Sequence, residues 1–503
     1  MSELPEGWVE ASISQVVGNI TYGHTASAAY TPVGPKMVRI TDLGSYGVKW
    51  SNVPYCECDD VEKYALKKGD LLVARTGATT GKSYLVNDVP EPAVYASYLI
   101  KLSALDSYPP EFLARFMRSR AYWSQITKVS KGTAQPGANA SILGKVELPV
   151  PPLNEQKRIV TKIDALTEKS REAREALDEV PDLLDKLRQS ILAAAFRGDL
   201  TKKWREQNPN VEPASVLLDR IRKERRKKWE DAELAKMEAK GKPPKNDKWK
   251  SKYKEPEPVD TEGLPRLPEG WCWASVGGLC TAVADGVHKK PNYVDEGVPF
   301  VTVRNMTAGP GLSFENLNYI TQEDHEEYIK RTHPEQGDVL ISKDGTLGVV
   351  RLIETDRVFS IFVSVAVMKP AVAGFGRHLA TMLETPQVQE LLVHTGTGLK
   401  HIHLTDLRAT PIPIPPVAEQ EAIQRELQRL LPVVESQRKA LDGWEASLAT
   451  LDASILAKAF RGELVPQDPN DEPASVLLER IRKEREAAAP KKKTRRKGRR
   501  SRV

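Results

Sequence analysis

The sequence predicts an α+β protein: two strand-rich α/β domains joined by two long coiled-coil helices. Three observations predict it. The 503 residues carry a tandem duplication, each copy holds one heptad stripe, and the rest of each copy reads as short β-type runs with turn signals. A chain of this length exceeds one ordinary core and suits two or three domains.

The duplication shows as repeated strings. LPEGW stands at Leu4–Trp8 and Leu267–Trp271, and PPLNEQ at Pro151–Gln156 matches PPVAEQ at Pro415–Gln420. SILAAAFRGDL at Ser190–Leu200 matches SILAKAFRGEL at Ser454–Leu464, and EPASVLLDRIRKER at Glu212–Arg225 matches EPASVLLERIRKER at Glu472–Arg485. The offsets are 267−4 = 263, 415−151 = 264, 454−190 = 264 and 472−212 = 260. One ancestral unit is therefore used twice. Between these strings, residues 20–130 and 283–395 align only at points such as KKGDLLVARTG at Lys67–Gly77 against EQGDVLISKDG at Glu335–Gly345. A shared frame with divergent interiors points to one scaffold with two different readouts.

The helices follow from composition and period. After Pro151 and Pro152, turn residues give way to Glu, Lys, Arg, Ala and Leu. Ile159, Ile163, Leu166, Ser170, Ala173, Leu177, Val180, Leu184, Leu187 and Ile191 recur at steps of four and three, the a/d pattern of a coiled coil. The second copy repeats the steps at Ile423, Leu427, Leu430, Val434, Gln437, Leu441, Trp444, Leu448, Leu451 and Ile455. Two stripes of equal length in one chain most simply pack on each other, and this reading leaves their relative direction open. Pro181 and Pro432 are expected to kink the helices or mark joins. A stripe of this length spans roughly 50 Å at about 1.5 Å per residue, or about 15 base pairs at roughly 3.4 Å per pair.

Strands are expected at Lys36–Ile40, Asp70–Ala74, Val94–Lys101 and Val146–Pro149, then at Pro299–Val303, Asp338–Ile341, Val358–Val367 and Ala409–Ile414. Pro109–Ser119 and Phe375–Leu383 are expected to be helical. Residues 226–262 are charged and contain prolines, which predicts a frayed helix and then a flexible linker. The basic run Lys491–Arg500 reads either as a solvated end or as a phosphate contact.

Composition excludes several classes. The net charge of +6 permits nucleic-acid binding without demanding it. Cys56, Cys58, Cys272 and Cys280 are too few for a disulfide framework and lack zinc spacing, which predicts free thiols. The polar start and the lack of a run of roughly 20 apolar residues predict a cytoplasmic protein with no membrane partner. GATTGKS at Gly77–Ser83 is one residue short of a phosphate-binding loop. PDLLDK at Pro181–Lys186 lies on the heptad helix, away from any strand a nuclease site would need. No His-Glu-x-x-His, methyltransferase box or cofactor loop is present, so no catalytic residue, cofactor site or metal site is expected. His288, His401 and His403 read as surface or loop histidines.

What remains are polar loops bearing cations and amides. Arg and Lys can pair with guanine, Asn and Gln with adenine, and small hydroxyls with phosphate. The candidates in the first copy are Arg39, Thr41, Arg75, Thr79, Thr80, Lys82, Ser83, Lys131, Thr133 and Gln135. In the second they are Lys289, Lys290, Arg304, Asn305, Lys343, Thr346, Thr397, Lys400 and His401.

The repeated order of motifs resembles the specificity subunit of type I restriction–modification enzymes. That order is Leu4–Trp8, Gly69–Leu72, Leu148–Gln156 and Ser190–Leu200, then Leu267–Trp271, Gly337–Leu340, Ile412–Gln420 and Ser454–Leu464. The first Pro-rich lead-in departs slightly, reading LPVPPLNEQ. The resemblance implies target recognition domains at 1–150 and 263–414, and antiparallel coiled-coil regions at 151–200 and 415–464 that act as a molecular ruler. A charged helical and flexible linker at 201–262 and a C-terminal helix with a basic tail at 465–503 complete this organisation. It also implies an internal pseudo-two-fold and a bipartite, asymmetric site on double-stranded DNA. Two methyltransferase subunits with S-adenosylmethionine, and up to two restriction–translocase subunits with ATP and Mg2+, are the implied partners. Glu155–Leu200 and Glu419–Leu464 are the implied docking segments. Two alternatives stand beside this reading: a coiled-coil scaffold with two protein-binding modules, and a self-sufficient nuclease or methyltransferase.

Overall fold

The computed structural model describes residues 4–44, 47–77, 79–130, 138–393 and 401–488. It divides into two compact units, Met1–Asp178 with Leu441–Val503, and Glu179–Ala440. These units cut across the two sequence copies, because each contains the globular part of one copy and the closing segments of the other.

The same four-stranded sheet lies at the centre of each unit. In the first its order is Ile20–Tyr22, Leu99–Leu102, Leu71–Ala74, Ser83–Leu85, with every neighbour antiparallel. In the second it is Cys280–Asp285, Val365–Pro370, Val339–Ser342, Val350–Leu352, again antiparallel throughout. A parallel pair accompanies each sheet: Lys36–Val38 with Ala93–Tyr95, and Val298–Val301 with Ser360–Ile361. The Gly-Asp motif explains the third strand. Gly69 and Gly337 take φ of 92° and 91°, which favours glycine. Asp70 and Asp338 then turn back to accept the backbone N–H of Lys67 and Glu335, both at 2.9 Å.

The eight expected strands are present, with one recurring difference. Val94–Lys101 and Val358–Val367 each break in two, into Ala93–Tyr95 and Leu99–Leu102, and into Ser360–Ile361 and Val365–Pro370. The break is a tight turn closed by Leu99 N–H to Ala96 C=O, and by Val365 N–H to Phe362 C=O, both 2.9 Å. Neither turn contains glycine or proline, so nothing in the strings announces it.

Five longer helices complete the units: α1 Leu153–Asp178, α2 Val180–Arg197, α3 Ala214–Ala239, α4 Val417–Ala459 and α5 Ala474–Ala488. Pro181 marks the expected join, sitting in the first turn of α2 where its missing N–H costs nothing. Pro432 marks none, since α4 runs through it. In the first unit Arg158 pairs with Asp471 at 2.7 Å and Arg174 with Asp452 at 2.6 Å. In the second Asp185 pairs with Arg438, and Thr201 donates to Glu419 at 2.7 Å. Rising numbers meet falling numbers in both, so the helical segments pair antiparallel within each unit.

The seam is less complete than the stripes suggest. Ile159, Ile163, Ser170, Leu184, Ile191, Ile423, Leu427, Val434 and Ile455 are buried. Leu187, Trp444 and Leu451 are exposed, as is their neighbour Leu183. Burial is densest where a globular core closes over the seam. Ile159 and Ile163 belong to one cluster with Ile455, Ala459 and Phe460, and Phe460 meets Phe112 and Phe116 edge-on at 5.4 and 5.3 Å.

The residue 226–262 segment also departs from expectation. Helix α3 runs to Ala239, and a short turn, Asp247–Lys252, folds back on it. Trp249 stacks on Trp229 with centroids 6.1 Å apart, and Tyr253 takes a 2.7 Å hydrogen bond from Arg225. Aromatic burial holds part of a stretch whose charge reads as a free linker. The four cysteines are free thiols, and burial pushes those of Cys56, Cys272 (to about 11) and Cys280 upward.

Candidate DNA interface

Each unit is tied together at a buried carboxylate. Trp8 Nε1 donates to Glu155 Oε2 at 3.0 Å, and Trp271 Nε1 donates to Glu419 Oε2 at 2.8 Å. The next residue repeats as well: Gln156 donates to Pro151 C=O at 2.8 Å and Gln420 to Pro415 C=O at 2.9 Å. These contacts give the repeated LPEGW and Pro-Pro-x-x-Glu-Gln strings a physical role. The closing strings complete the same knot from the other copy. Ala474 N–H bonds Gly7 C=O in the first unit, and Ala214 N–H bonds Gly270 C=O in the second. Gly462 and Gly198, both at φ of 76°, lie against Pro5 with Trp8 and against Pro268 with Trp271.

Above this knot, one end of each sheet carries the candidate readers on a duplicated backbone. Arg75 N–H bonds Tyr98 C=O at 2.9 Å, and Lys343 N–H bonds Ser364 C=O at 2.8 Å. Ala138 N–H bonds Arg75 C=O at 3.1 Å, and Ile402 N–H bonds Lys343 C=O at 3.0 Å. Ser97 N–H bonds His24 C=O at 2.8 Å, and Val363 N–H bonds Val287 C=O at 3.1 Å. The register makes Tyr22 the counterpart of Asp285, opposite Ile100 and Ala366 respectively.

The side chains on this frame differ. In the first unit the Arg75 guanidinium lies 5.0 Å from the ring centroid of Tyr22. Tyr22, Arg75 and Lys82 are exposed, and Thr79 and Thr80 are half-buried in a loop fixed by Thr80 Oγ1 to Gly77 C=O at 2.7 Å. Gly81 closes that loop at φ of 85°, with Tyr122 donating to its C=O at 2.8 Å. The loop connects two strands, so the near-match to a phosphate-binding loop has no strand-to-helix context. Ser83 is a half-buried strand residue, and Thr41 is exposed on a short turn.

In the second unit Lys343 is buried and pairs with Asp285 at 3.1 Å. Asp285 also takes Arg331 at 2.6 Å and His288 at 3.2 Å. Burial alone would raise the Asp285 carboxyl, but Arg331, Lys343 and His288 hold it below its ordinary value. Lys289, Lys290, Arg304 and Thr346 are exposed. His401 is bonded to Asp344 and meets the ring of His403 at 4.8 Å.

Three candidates are thereby corrected as base readers. Asn305 is buried, and its Oδ1 accepts Thr302 N–H at 3.0 Å and Thr302 Oγ1 at 3.1 Å, which caps a short helix. Lys343 is committed to Asp285. Arg39 grips Asp42 through Nε at 3.0 Å and Nη2 at 2.9 Å, and that carboxylate raises its pKa further. Lys343 and Arg39 serve buried carboxylates and Asn305 is itself buried, so a base edge would have to displace their partners. Lys131, Thr133, Gln135, Thr397 and Lys400 lie outside the described residues. Tyr22, Tyr98, Asp285 and Arg331 join this sheet end in the structure and are not among the candidates read from the sequence. Tyr98 falls inside a run that reads as continuous strand, and Asp285 surfaces only when the copies are aligned at Tyr22.

A family model described as the type I restriction modification DNA specificity domain matches residues 5–180 and 268–441. The chain belongs to this family. It is a specificity subunit, the recognition component of a type I restriction–modification complex and not its catalytic part. It is similar to the EcoKI specificity subunit of Escherichia coli (strain K12), 23% identical over 520 residues that cover 98% of this chain and 99% of that one. It is also similar to the EcoBI specificity subunit of Escherichia coli, 25% identical with 98% and 96% covered. Among solved structures, the HsdS subunit from Thermoanaerobacter tengcongensis shares the fold at a TM-score of 0.57, with 20% identity and 92% and 98% covered. A chain from a study of complex assembly and conformational transition in the type I R-M system matches at 0.59, with 21% identity and 92% and 100% covered. Among the described residues no helix is long and apolar enough to cross a membrane, and no acidic, His or Cys group could hold a metal.

Proposed function

We propose that each unit of this specificity subunit reads one half of a bipartite, asymmetric sequence on double-stranded DNA, and that the paired helices set the gap. The observation that carries this is the duplicated backbone at one sheet end, on which the two copies mount different polar side chains. One frame with two chemistries suits two unlike half-sites. Arg75, Thr79, Lys82, Lys289, Lys290, Arg304 and Thr346 are the readers this reading keeps, all exposed or half-buried on that frame or its flanking loops.

The segments Glu155–Leu200 and Glu419–Leu464 receive two methyltransferase subunits, which bring S-adenosylmethionine and methylate adenine. Up to two restriction–translocase subunits bring ATP and Mg2+. The exposed Leu183, Leu187, Trp444 and Leu451 on these segments support docking there, since uncovered large apolar residues mark interaction surfaces. The complex works in the cytoplasm, where its DNA lies. Mapping methylated adenines in a methylation-free host that expresses this chain with its methyltransferase subunit tests the reading. One split, asymmetric motif with a fixed gap is expected. No new motif, with both proteins soluble and associated, would favour the protein-scaffold alternative.

A further inference from the structure

Tyr98 stands at the centre of the first unit's sheet end and has no counterpart in the second. It occupies the third position of the turn Ala96–Leu99, and the same turn in the second unit places Ser364 there. Tyr98 is 62% exposed, whereas Tyr95, three residues before it at the end of the preceding strand, is fully buried. Its backbone is fixed on three sides: its C=O accepts Arg75 N–H at 2.9 Å, Ser97 N–H bonds His24 C=O, and Leu99 N–H bonds Ala96 C=O. The ring therefore projects from a rigid turn with only two side-chain torsions to order, which makes it a low-entropy contact. Beside it, through that 2.9 Å bond, stand Arg75 and the Tyr22 ring it covers. In the second unit the corresponding positions are Ser364, Lys343 and Asp285, a small hydroxyl beside a closed ion pair. An exposed ring beside a cation suits a wedge that enters an opened base step of the duplex and meets the flat face of a base, with the cation on the adjacent phosphate.

Building on the half-site reading above, we infer that Tyr98 stacks on a base of the half-site read by the first unit, with Arg75 and Tyr22 flanking it. At the matching turn the second unit offers no such ring, because Ser364 has no face to offer. The two halves of the site are thus read by different physics.

The test uses the full chain with its methyltransferase subunit, on duplexes carrying the mapped site. 2-Aminopurine replaces adenines of each half-site in turn, and binding is followed by anisotropy and by probe fluorescence. Tyr98→Ala is expected to weaken binding at least about fivefold, the low end of what base–aromatic stacking contributes to alanine substitution. Tyr98→Ser is expected to match it, and Tyr98→Phe to bind like the parent. A probe in the first half-site should change fluorescence with parent protein and not with Tyr98→Ala, while probes in the second stay the same in both. Unaltered melting of the variants, expected for an exposed side chain, separates lost contact from lost fold. Parent-like binding by Tyr98→Ala, or a Tyr98→Phe defect as large as that of Tyr98→Ala, would overturn the inference and leave half-site reading intact. A parent protein without any preferred site would instead remove the reading beneath it.

Discussion

At matching positions of a shared frame, the first unit sets Arg75 on the open face of Tyr22, while the second buries Lys343 on Asp285. The backbone bonds that fix both cations agree to within 0.1 Å, at 2.9 against 2.8 Å on one side and 3.1 against 3.0 Å on the other. Copying preserved the backbone hydrogen bonds, which any side chain can satisfy, and left side-chain identity open to change. The knots below show the same division. Trp271, Thr201 and Arg205 all donate to Glu419, whereas among the described residues Glu155 takes only Trp8 and its other oxygen meets no donor. Thr201 corresponds to Val465, and Arg205 falls in four residues absent from the second copy's closing segment.

The largest effect expected is on the recognised sequence. Inserting or deleting one heptad in both helical pairs should change the gap and leave both half-sites intact, read by methylation mapping. Altered half-sites with an unaltered gap would refute the ruler. Next in size is the buried pair. Asp285→Ala leaves Lys343 buried without its carboxylate and should cost about 3–5 kcal/mol in urea unfolding. Arg75→Ala loses an exposed cation–ring contact and should cost less than about 1 kcal/mol. Equal costs would mean the two cations play the same role. Gly198→Ala and Gly462→Ala both force a side chain onto φ of 76° against a proline ring, so each should destabilise by more than about 1 kcal/mol, and by similar amounts.

The smallest effects concern pH and have opposite signs. Asp285 has a depressed carboxyl, so its contribution is present above the unfolded value near about 3.9 and is lost as pH falls through the folded value. Burial raises Glu155, with Trp8 opposing. Its contribution is therefore present below the ordinary glutamate value and is lost as pH rises through the folded one. In urea unfolding between pH 3 and 7, the stability advantage of parent over Asp285→Asn should shrink toward acid. Parent protein should lose ground to Glu155→Gln as pH rises. Slopes of the same sign would contradict this contrast.

The duplication, the helices and most strands were legible because their signals are local: repeated strings, heptad steps and Gly-Asp turns. The exchange of closing segments between copies was not, since Gly7 and Ala474 meet only in three dimensions. The site was legible as a set of loops and not as individual readers. A lysine such as Lys343 looks solvent-seeking until its distant partner Asp285 is placed beside it. Tyr98 falls inside the expected strand Val94–Lys101 because no turn residue announces the break at Ala96. Leu187, Trp444 and Leu451 read as seam because periodicity reports a face and cannot say what covers it.

The most direct test of one frame carrying two independent readouts is a methylation map of the parent chain beside one whose residues 20–145 come from a relative. The account predicts that one half-site changes while the other half and the gap stay as they were. A change in both halves, or in neither, would contradict it.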